Sequence, residues 1–108
     1  MTADGRTIEL LANVNNAADA RMATANGACG VGLYRTEYLF LTHPTVPDEE
    51  EQVKVYREVI EAAPGRRAVL RTLDLGGDKQ VPWLGTQHEA NPFMGFRSIR
   101  MVRKHPEF

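Results

Sequence analysis

The sequence predicts an α/β protein built from parallel βαβ units, and two observations support this expectation. Short apolar segments rich in branched residues alternate along the chain with stretches that have helical spacing. The resulting order is strand, helix, strand, helix, strand, helix, which is typical of a parallel sheet with crossover helices. The βα unit recurs at intervals of roughly 30–37 residues without a close sequence repeat.

The first unit occupies the N-terminal quarter of the chain. Thr7–Val14 is short, apolar and branched, so we expect a strand. The pair Asn15-Asn16 offers side-chain oxygens that cap a helix, and the alanine-rich stretch Ala17–Ala25 favours that helix strongly. Asn26-Gly27 then supplies the left-handed residues that commonly end helices.

The second unit begins with the predicted strand Val31–Tyr34. The polar and aromatic stretch Thr36–Pro47 contains two prolines and predicts a loop with room for a short helical turn. Asp48 followed by Glu51 is the signature of a capping box, so a helix is expected to start there. Pro64-Gly65 is expected to stop it.

The third unit starts with the strand Ala68–Leu70, which we expect to run on through Arg71. Gly76-Gly77 predicts a turn, and Lys79–Leu84 predicts a small arm or an extended loop. A third helix is expected from Asn91-Pro92 to about Lys104. Its inner face is predicted to be Phe96, Ile99 and Val102.

The chain of 108 residues is long enough for one small domain with a single core, so residues 1–108 are treated as one unit. Two architectures fit three βα units. One is a small three-layer α/β domain, because a parallel sheet needs both faces covered. The other is the first part of a (β/α)₈ barrel, which needs eight units and about 250 residues. The pattern alone leaves both open.

Composition narrows the class of protein. The net charge of −1 gives no electrostatic reason to expect binding to nucleic acid or to an anionic membrane. No apolar run approaches the roughly 18 residues that a membrane-spanning helix requires, and the N-terminus lacks a signal-peptide core. The single cysteine, Cys29, cannot form an internal disulfide. We therefore expect a cytoplasmic protein with no membrane or nucleic-acid partner.

Two arginines stand at equivalent places on successive predicted strands. Arg35 ends the segment GVGLYR and Arg71 ends the segment AVLR. Ligands of α/β folds bind at the carboxyl ends of parallel strands, which lie about 4.8 Å apart. Both guanidinium groups could therefore grip one small anion, since arginine matches carboxylate and phosphate oxygens. The competing interpretation is a solvated surface pair between Arg35 and Glu37.

A third arginine is expected near the same edge. Arg97 would lie in the first turn of the third helix, where a cation is unfavourable unless an anion compensates it. The alternative is an exposed helical arginine. The three histidines lack metal-ligand spacing, and no catalytic triad or nucleotide-binding loop occurs. We therefore assign Arg35, Arg71 and Arg97 to substrate binding, with no catalytic residue and no metal ligand.

Three motifs together resemble a known family. GVGLYRTEYLF, RTLDLGGDK and NPFMGFRSIR stand in the order and spacing found in the Enzyme I group of the phosphoenolpyruvate (PEP)-utilising enzymes. The form RTLDLGGDK resembles the PEP-protein phosphotransferases of the bacterial sugar phosphotransferase system or their paralogues of the nitrogen system, and it differs from the corresponding segment of PEP synthase and pyruvate phosphate dikinase. The resemblance covers nearly the whole chain. The family usually has a glutamate in place of Ala90 and often a tryptophan in place of Phe96.

The resemblance implies more than the residues themselves do. It implies three βα units of an incomplete (β/α)₈ barrel that binds PEP with Mg²⁺. It also implies transfer of the phosphoryl group to a protein histidine for sugar uptake, and onward to a histidine-containing phosphocarrier protein. A homodimer is implied for the full-length enzyme. Arg35, Arg71 and Arg97 match arginines that grip PEP in this family.

The same resemblance limits what this chain is expected to do. The family's Mg²⁺-binding carboxylates and catalytic cysteine would lie beyond Phe108, and its phosphohistidine domain would precede Met1. We therefore expect the fragment to be inactive alone. Two alternatives remain at this point: a fragment of a PEP synthase or pyruvate phosphate dikinase, and a non-catalytic anion-binding or interaction module.

Overall fold

The described residues contain a parallel three-stranded sheet. The computed structural model describes residues 1–63, 65, 67–75, 98–104 and 106. The strands β1 (Leu11–Val14), β2 (Gly30–Arg35) and β3 (Ala68–Arg71) are hydrogen-bonded in the order β1-β2-β3. Both neighbouring pairs are parallel, which confirms the predicted α/β class within the described residues.

Helices connect the strands as the sequence predicts. The described helices are α1 (Ala17–Ala25), α2 (Glu37–Thr42), α3 (Glu49–Ala62) and α4 (Ile99–Lys104). The α1 bounds coincide with the prediction, since Asn16 caps its first turn and Asn26 ends it. The Asp48 carboxylate accepts from the Glu51 amide at 2.8 Å, and the Glu51 side chain accepts from the Asp48 amide at 3.2 Å. The predicted capping box is thereby confirmed.

The apolar core consists of two adjoining clusters of buried side chains. The first lies where α1 and α3 pack on the sheet. It contains Val14, Ala17, Ala20, Val31, Tyr34, Val59 and Ala63. The second lies at the carboxyl end of the sheet and contains Leu39, Phe40, Leu73, Leu75 and Met101.

Three details differ from the sequence prediction. The first strand begins at Leu11 instead of Thr7, and residues 7–10 are exposed. A six-residue helix, α2, occupies the stretch expected to be mainly loop, because Leu39 and Phe40 are buried against the second cluster. Ile99 was expected on an inner face, but 70% of it is exposed, and Met101 is the buried residue of α4.

Several predicted features lie outside the described residues. These are the Gly76-Gly77 turn, the Lys79–Leu84 arm and the start of the third helix, together with Phe96 and Arg97. Among the residues the structure describes, no helix has both the length and the apolar character that crossing a membrane demands.

One face of the sheet is not covered by the described helices. Tyr34 and Leu70 belong to the cluster under α1 and α3. Their chain neighbours Arg35 and Arg71 therefore fall on the opposite face, because successive strand residues alternate between faces. Val69 lies on that opposite face and is 52% exposed.

Candidate anion-binding site

The carboxyl ends of β2 and β3 bring two arginines side by side. Arg35 and Arg71 are Cα partners across the two strands. They are the final residues of their strands, so both stand at the edge where α/β folds bind ligands. The structure thus brings together the two arginines that the sequence singled out. Arg97, the third predicted residue, lies outside the described residues.

Glu37 corrects the expectation for the segment Arg35-Thr-Glu37. The sequence left open a solvated pair between Arg35 and Glu37. Instead the Glu37 side chain is only 3% exposed, and its Oε1 accepts a hydrogen bond from Nη2 of Arg71. A buried carboxylate is tolerated only when paired and hydrogen-bonded, and the arginine of the neighbouring strand provides that pairing.

Arg71 is held at two further points. Its carbonyl oxygen accepts a hydrogen bond of 2.7 Å from the Thr36 hydroxyl. Its Nη2 also lies 3.7 Å from Oδ2 of Asp74, three residues along the chain. The Arg71 side chain is 35% exposed, so part of its guanidinium group remains accessible. Its positive charge is thus compensated from within the protein.

Arg35 has a different environment. It is exposed, and it makes no ion pair with any residue in the described part of the chain. Two guanidinium groups this close repel each other unless an anion compensates them. Glu37 is the anionic partner of Arg71. Arg35 has no such partner among the described residues. An incoming anion would therefore gain most from Arg35.

A cavity of about 280 Å³ also borders Arg71. It lies between the ends of β2 and β3 and the helix α3, and its lining includes Thr36, Arg71, Gln52 and Tyr56. Arg35 is not among its described lining residues. The cavity therefore does not unite the two arginines, and the edge of the sheet is the better candidate for anion binding.

Two tyrosines lie close to the carboxyl edge of the sheet. The rings of Tyr34 and Tyr56 meet edge to face with centroids 5.8 Å apart. Burial, with smaller contributions from Tyr56 and Glu37, raises the pKa of Tyr34 to about 12. Burial also raises the pKa of Tyr56. Both phenols therefore stay neutral near pH 7 and leave the charge balance of the site to the arginines and carboxylates.

A metal centre is not built by the described residues. They contain no group of three or more histidine, cysteine, aspartate or glutamate side chains placed to hold a metal ion. The two carboxylates nearest Arg71, those of Glu37 and Asp74, face a guanidinium cation. The described residues in this region therefore do not fit a Mg²⁺ site.

Comparison with known families establishes the class of protein to which this fold and site belong. All of residues 1–108 match the family model described as "PEP-utilising enzyme, PEP-binding domain". The chain belongs to the PEP-utilising enzyme family. This agrees with the resemblance of its three motifs.

The similar curated proteins share one name. The chain is 49% identical over 107 residues to a phosphoenolpyruvate-protein phosphotransferase of Staphylococcus carnosus, covering 99% of the chain and 19% of that protein. It is 47% identical over 107 residues to the protein of the same name from Staphylococcus epidermidis, again covering 99% and 19%. It is 50% identical over 101 residues to that of Geobacillus stearothermophilus, covering 94% and 18%. The chain thus spans about a fifth of the length of these relatives.

Proposed function

We propose that this chain supplies part of the PEP-binding site of a phosphoenolpyruvate-protein phosphotransferase, with Arg35 and Arg71 contacting the substrate. The observation that supports this most is the pairing of the two arginines at the carboxyl edge of the sheet. PEP carries a carboxylate and a phosphate close together. Two neighbouring guanidinium groups complement such a ligand, since each can bind an oxygen pair in bidentate fashion.

The proposed reaction transfers the phosphoryl group of PEP to a protein histidine. The bond between phosphorus and the enol oxygen breaks, a bond between phosphorus and the imidazole nitrogen forms, and pyruvate is released. During transfer the negative charge spreads over the phosphoryl oxygens. Positively charged groups fixed beforehand at that position stabilise the transition state. We assign this role to Arg35 and Arg71, and we place Arg97 with them from the family motif.

The remaining elements of the proposal come from the family. They include Mg²⁺ as the metal, a cytoplasmic location, a histidine-containing phosphocarrier protein as the next acceptor, and a role in sugar uptake. The phosphotransferase name of the relatives favours this assignment over a PEP synthase or dikinase.

The proposed architecture is three βα units of a (β/α)₈ barrel. Its support is the uncovered face of the sheet, which carries the half-exposed Val69 and also Leu11, 37% exposed. Parallel sheets are covered on both faces in stable proteins. In a closed barrel this face would line the interior, and the arginine edge would lie at the rim where barrel enzymes bind substrates.

The proposal is tested by measuring PEP affinity in the complete gene product that contains this chain. Arg35→Ala and Arg71→Ala are each compared with the unaltered protein by equilibrium dialysis with labelled PEP. We expect the Kd to rise at least tenfold in each, about 1.4 kcal/mol, because each variant loses a charge-assisted contact. Arg57→Ala is the matched control, since Arg57 is an exposed arginine of α3.

Two results would refute the proposal. One is an unchanged Kd in both arginine variants. The other is an equal loss of affinity in Arg57→Ala, which would indicate non-specific attraction of an anion to positive charge. Binding of PEP without pyruvate release by the complete gene product would favour a non-catalytic anion-binding module.

A further inference from the structure

Glu37 is a charged residue that the proposed substrate contacts do not use. Among the described residues it is the only buried side chain that carries a formal charge. Moving a carboxylate out of water costs several kcal/mol even after the protein relaxes around it. A glutamate at the start of α2 could satisfy the helix dipole equally well in solvent. Helix capping alone therefore does not explain its burial.

The hydrogen-bond partner of Glu37 indicates its role. Oε1 of Glu37 accepts from Nη2 of Arg71, a residue on the neighbouring strand. The preceding residue, Thr36, donates its hydroxyl to the Arg71 carbonyl oxygen at 2.7 Å. The two residues that follow β2 thus hold both the main chain and the side chain of Arg71.

This arrangement differs from an ordinary surface ion pair. A surface pair is worth little because water screens it and both side chains lose freedom. Asp74, at 3.7 Å and less deeply buried, represents that weaker kind of contact. Glu37 instead approaches Arg71 from the protein interior, so its pull is little screened. Of the five guanidinium donors, the Glu37 bond uses one, at Nη2, and the exposed part of the group stays available.

We propose that Glu37 is the positioning residue that fixes the Arg71 guanidinium group in the orientation that receives PEP. This inference rests on the proposed function, because it presumes that Arg71 contacts the substrate. A free arginine side chain loses considerable rotamer freedom on binding a ligand. A partner that restricts the side chain beforehand removes that loss from the binding step. Glu37 therefore acts through Arg71 and does not touch the substrate.

The experiment uses the complete gene product and the substitution Glu37→Gln, which keeps the shape of the side chain and removes its charge. The glutamine oxygen can still accept from the guanidinium group, but it lacks the negative charge that attracts the cation in this little-screened position. We expect the KM for PEP to rise five- to tenfold, with kcat changed less than threefold. Glu50→Gln is the matched control, because Glu50 is an exposed glutamate in the first turn of α3, and its KM should stay unchanged.

Introducing Glu37→Gln into the Arg71→Ala variant separates a positioning role of Glu37 from a general structural role. In Arg71→Ala there is no guanidinium group left to position, so adding Glu37→Gln should change the KM less than twofold. A purely structural effect of Glu37 would persist in that background. Equal effects of Glu37→Gln with and without Arg71 would therefore overturn the proposal, as would an unaltered KM in Glu37→Gln alone.

The test also distinguishes this inference from the proposed function. If Arg71→Ala weakens PEP binding and Glu37→Gln does not, the positioning role alone is refuted. If neither Arg35→Ala nor Arg71→Ala weakens binding, the proposed function fails and this inference fails with it.

Loss of folding in Glu37→Gln is covered by a further variant. The double substitution Glu37→Met with Arg71→Met removes both charges and replaces them with apolar groups. A folded double variant beside an unfolded Glu37→Gln would support the role of Glu37 as a partner of Arg71. A double variant as unfolded as Glu37→Gln would show a role of Glu37 that does not pass through Arg71, and would overturn the proposal.

Discussion

The Thr36 hydroxyl donates a hydrogen bond of 2.7 Å to the carbonyl oxygen of Arg71, joining the residue after β2 to the last residue of β3. Thr36 is buried, so water cannot replace this bond. The strand ladder ends at the pair Arg35 and Arg71, and the side-chain bond continues the connection one residue further. The candidate site thus stands on a fixed piece of backbone.

Thr36→Val tests this connection. Valine keeps the shape of threonine but leaves the Arg71 carbonyl without its hydroxyl donor. We expect the free energy of unfolding to fall by about 1–2 kcal/mol and the Kd for PEP to rise severalfold. Urea unfolding followed by circular dichroism measures the first quantity, and equilibrium dialysis measures the second. Thr36→Ser retains the hydroxyl and should stay close to the unaltered protein; equal losses in both variants would contradict the assignment.

Gly32 tests the close approach of β1 and β2. A Cβ atom at this position would lie 2.8 Å from Cβ of Leu11, closer than real Cβ atoms come. We therefore expect Gly32→Ala to lower the free energy of unfolding by about 1–3 kcal/mol through overpacking. The same substitution should cost less when Leu11 is replaced by glycine. A cost that is identical in the two backgrounds, measured by urea unfolding, would mean that Leu11 is not the obstacle.

Alkaline pH tests the burial of Tyr34. Its pKa rises from 10.0 to about 12 in the folded protein, so between these values the folded state keeps a proton that the unfolded state has lost. Stability from this residue is therefore full below pH 10 and declines as the pH rises towards 12. Urea unfolding at several pH values should show this decline, and Tyr34→Phe should show less of it. The residual slope in the variant would come from Tyr56, whose pKa is also raised. An unaltered slope in Tyr34→Phe would disprove the assignment.

The capping box of α3 provides a prediction remote from the site. Asp48→Ala removes the acceptor for the Glu51 amide and should cost about 1 kcal/mol of stability. Asp48→Asn keeps an acceptor oxygen and should cost much less. Thermal unfolding followed by circular dichroism compares the two variants. Neither should alter PEP affinity, because Asp48 neither contacts Arg71 nor lines the cavity beside it; a change in Kd would contradict this.

Local patterns in the sequence were sufficient to predict much of the fold. The bounds of α1 follow from an asparagine cap, an alanine run and Asn26-Gly27, all of which act within a few residues. The parallel pairing of the strands follows from the alternation of element types, and the equivalence of Arg35 and Arg71 follows from their positions at strand ends.

Other features depend on contacts between distant residues, and local patterns do not report these. Burial of Glu37 requires Arg71, which lies 34 residues away. The helix α2 forms in a stretch that contains two prolines because Phe40 is buried in one cluster with Leu73 and Met101. For Ile99, helical spacing predicted an inner position, but the packing partners place Met101 inside. Tertiary partners decide such cases, and a single sequence does not name them.

The attachment of Arg71 to Thr36 and Glu37 also specifies the alignment of β3 with β2. A slip of β3 by one residue along β2 would turn the Arg71 side chain to the other face of the sheet. The Thr36 hydroxyl would then meet a different carbonyl, and the Glu37 carboxylate would be left buried without its guanidinium partner. Such a register error would therefore carry the cost of an unpaired buried charge, which favours the observed alignment of the two strands.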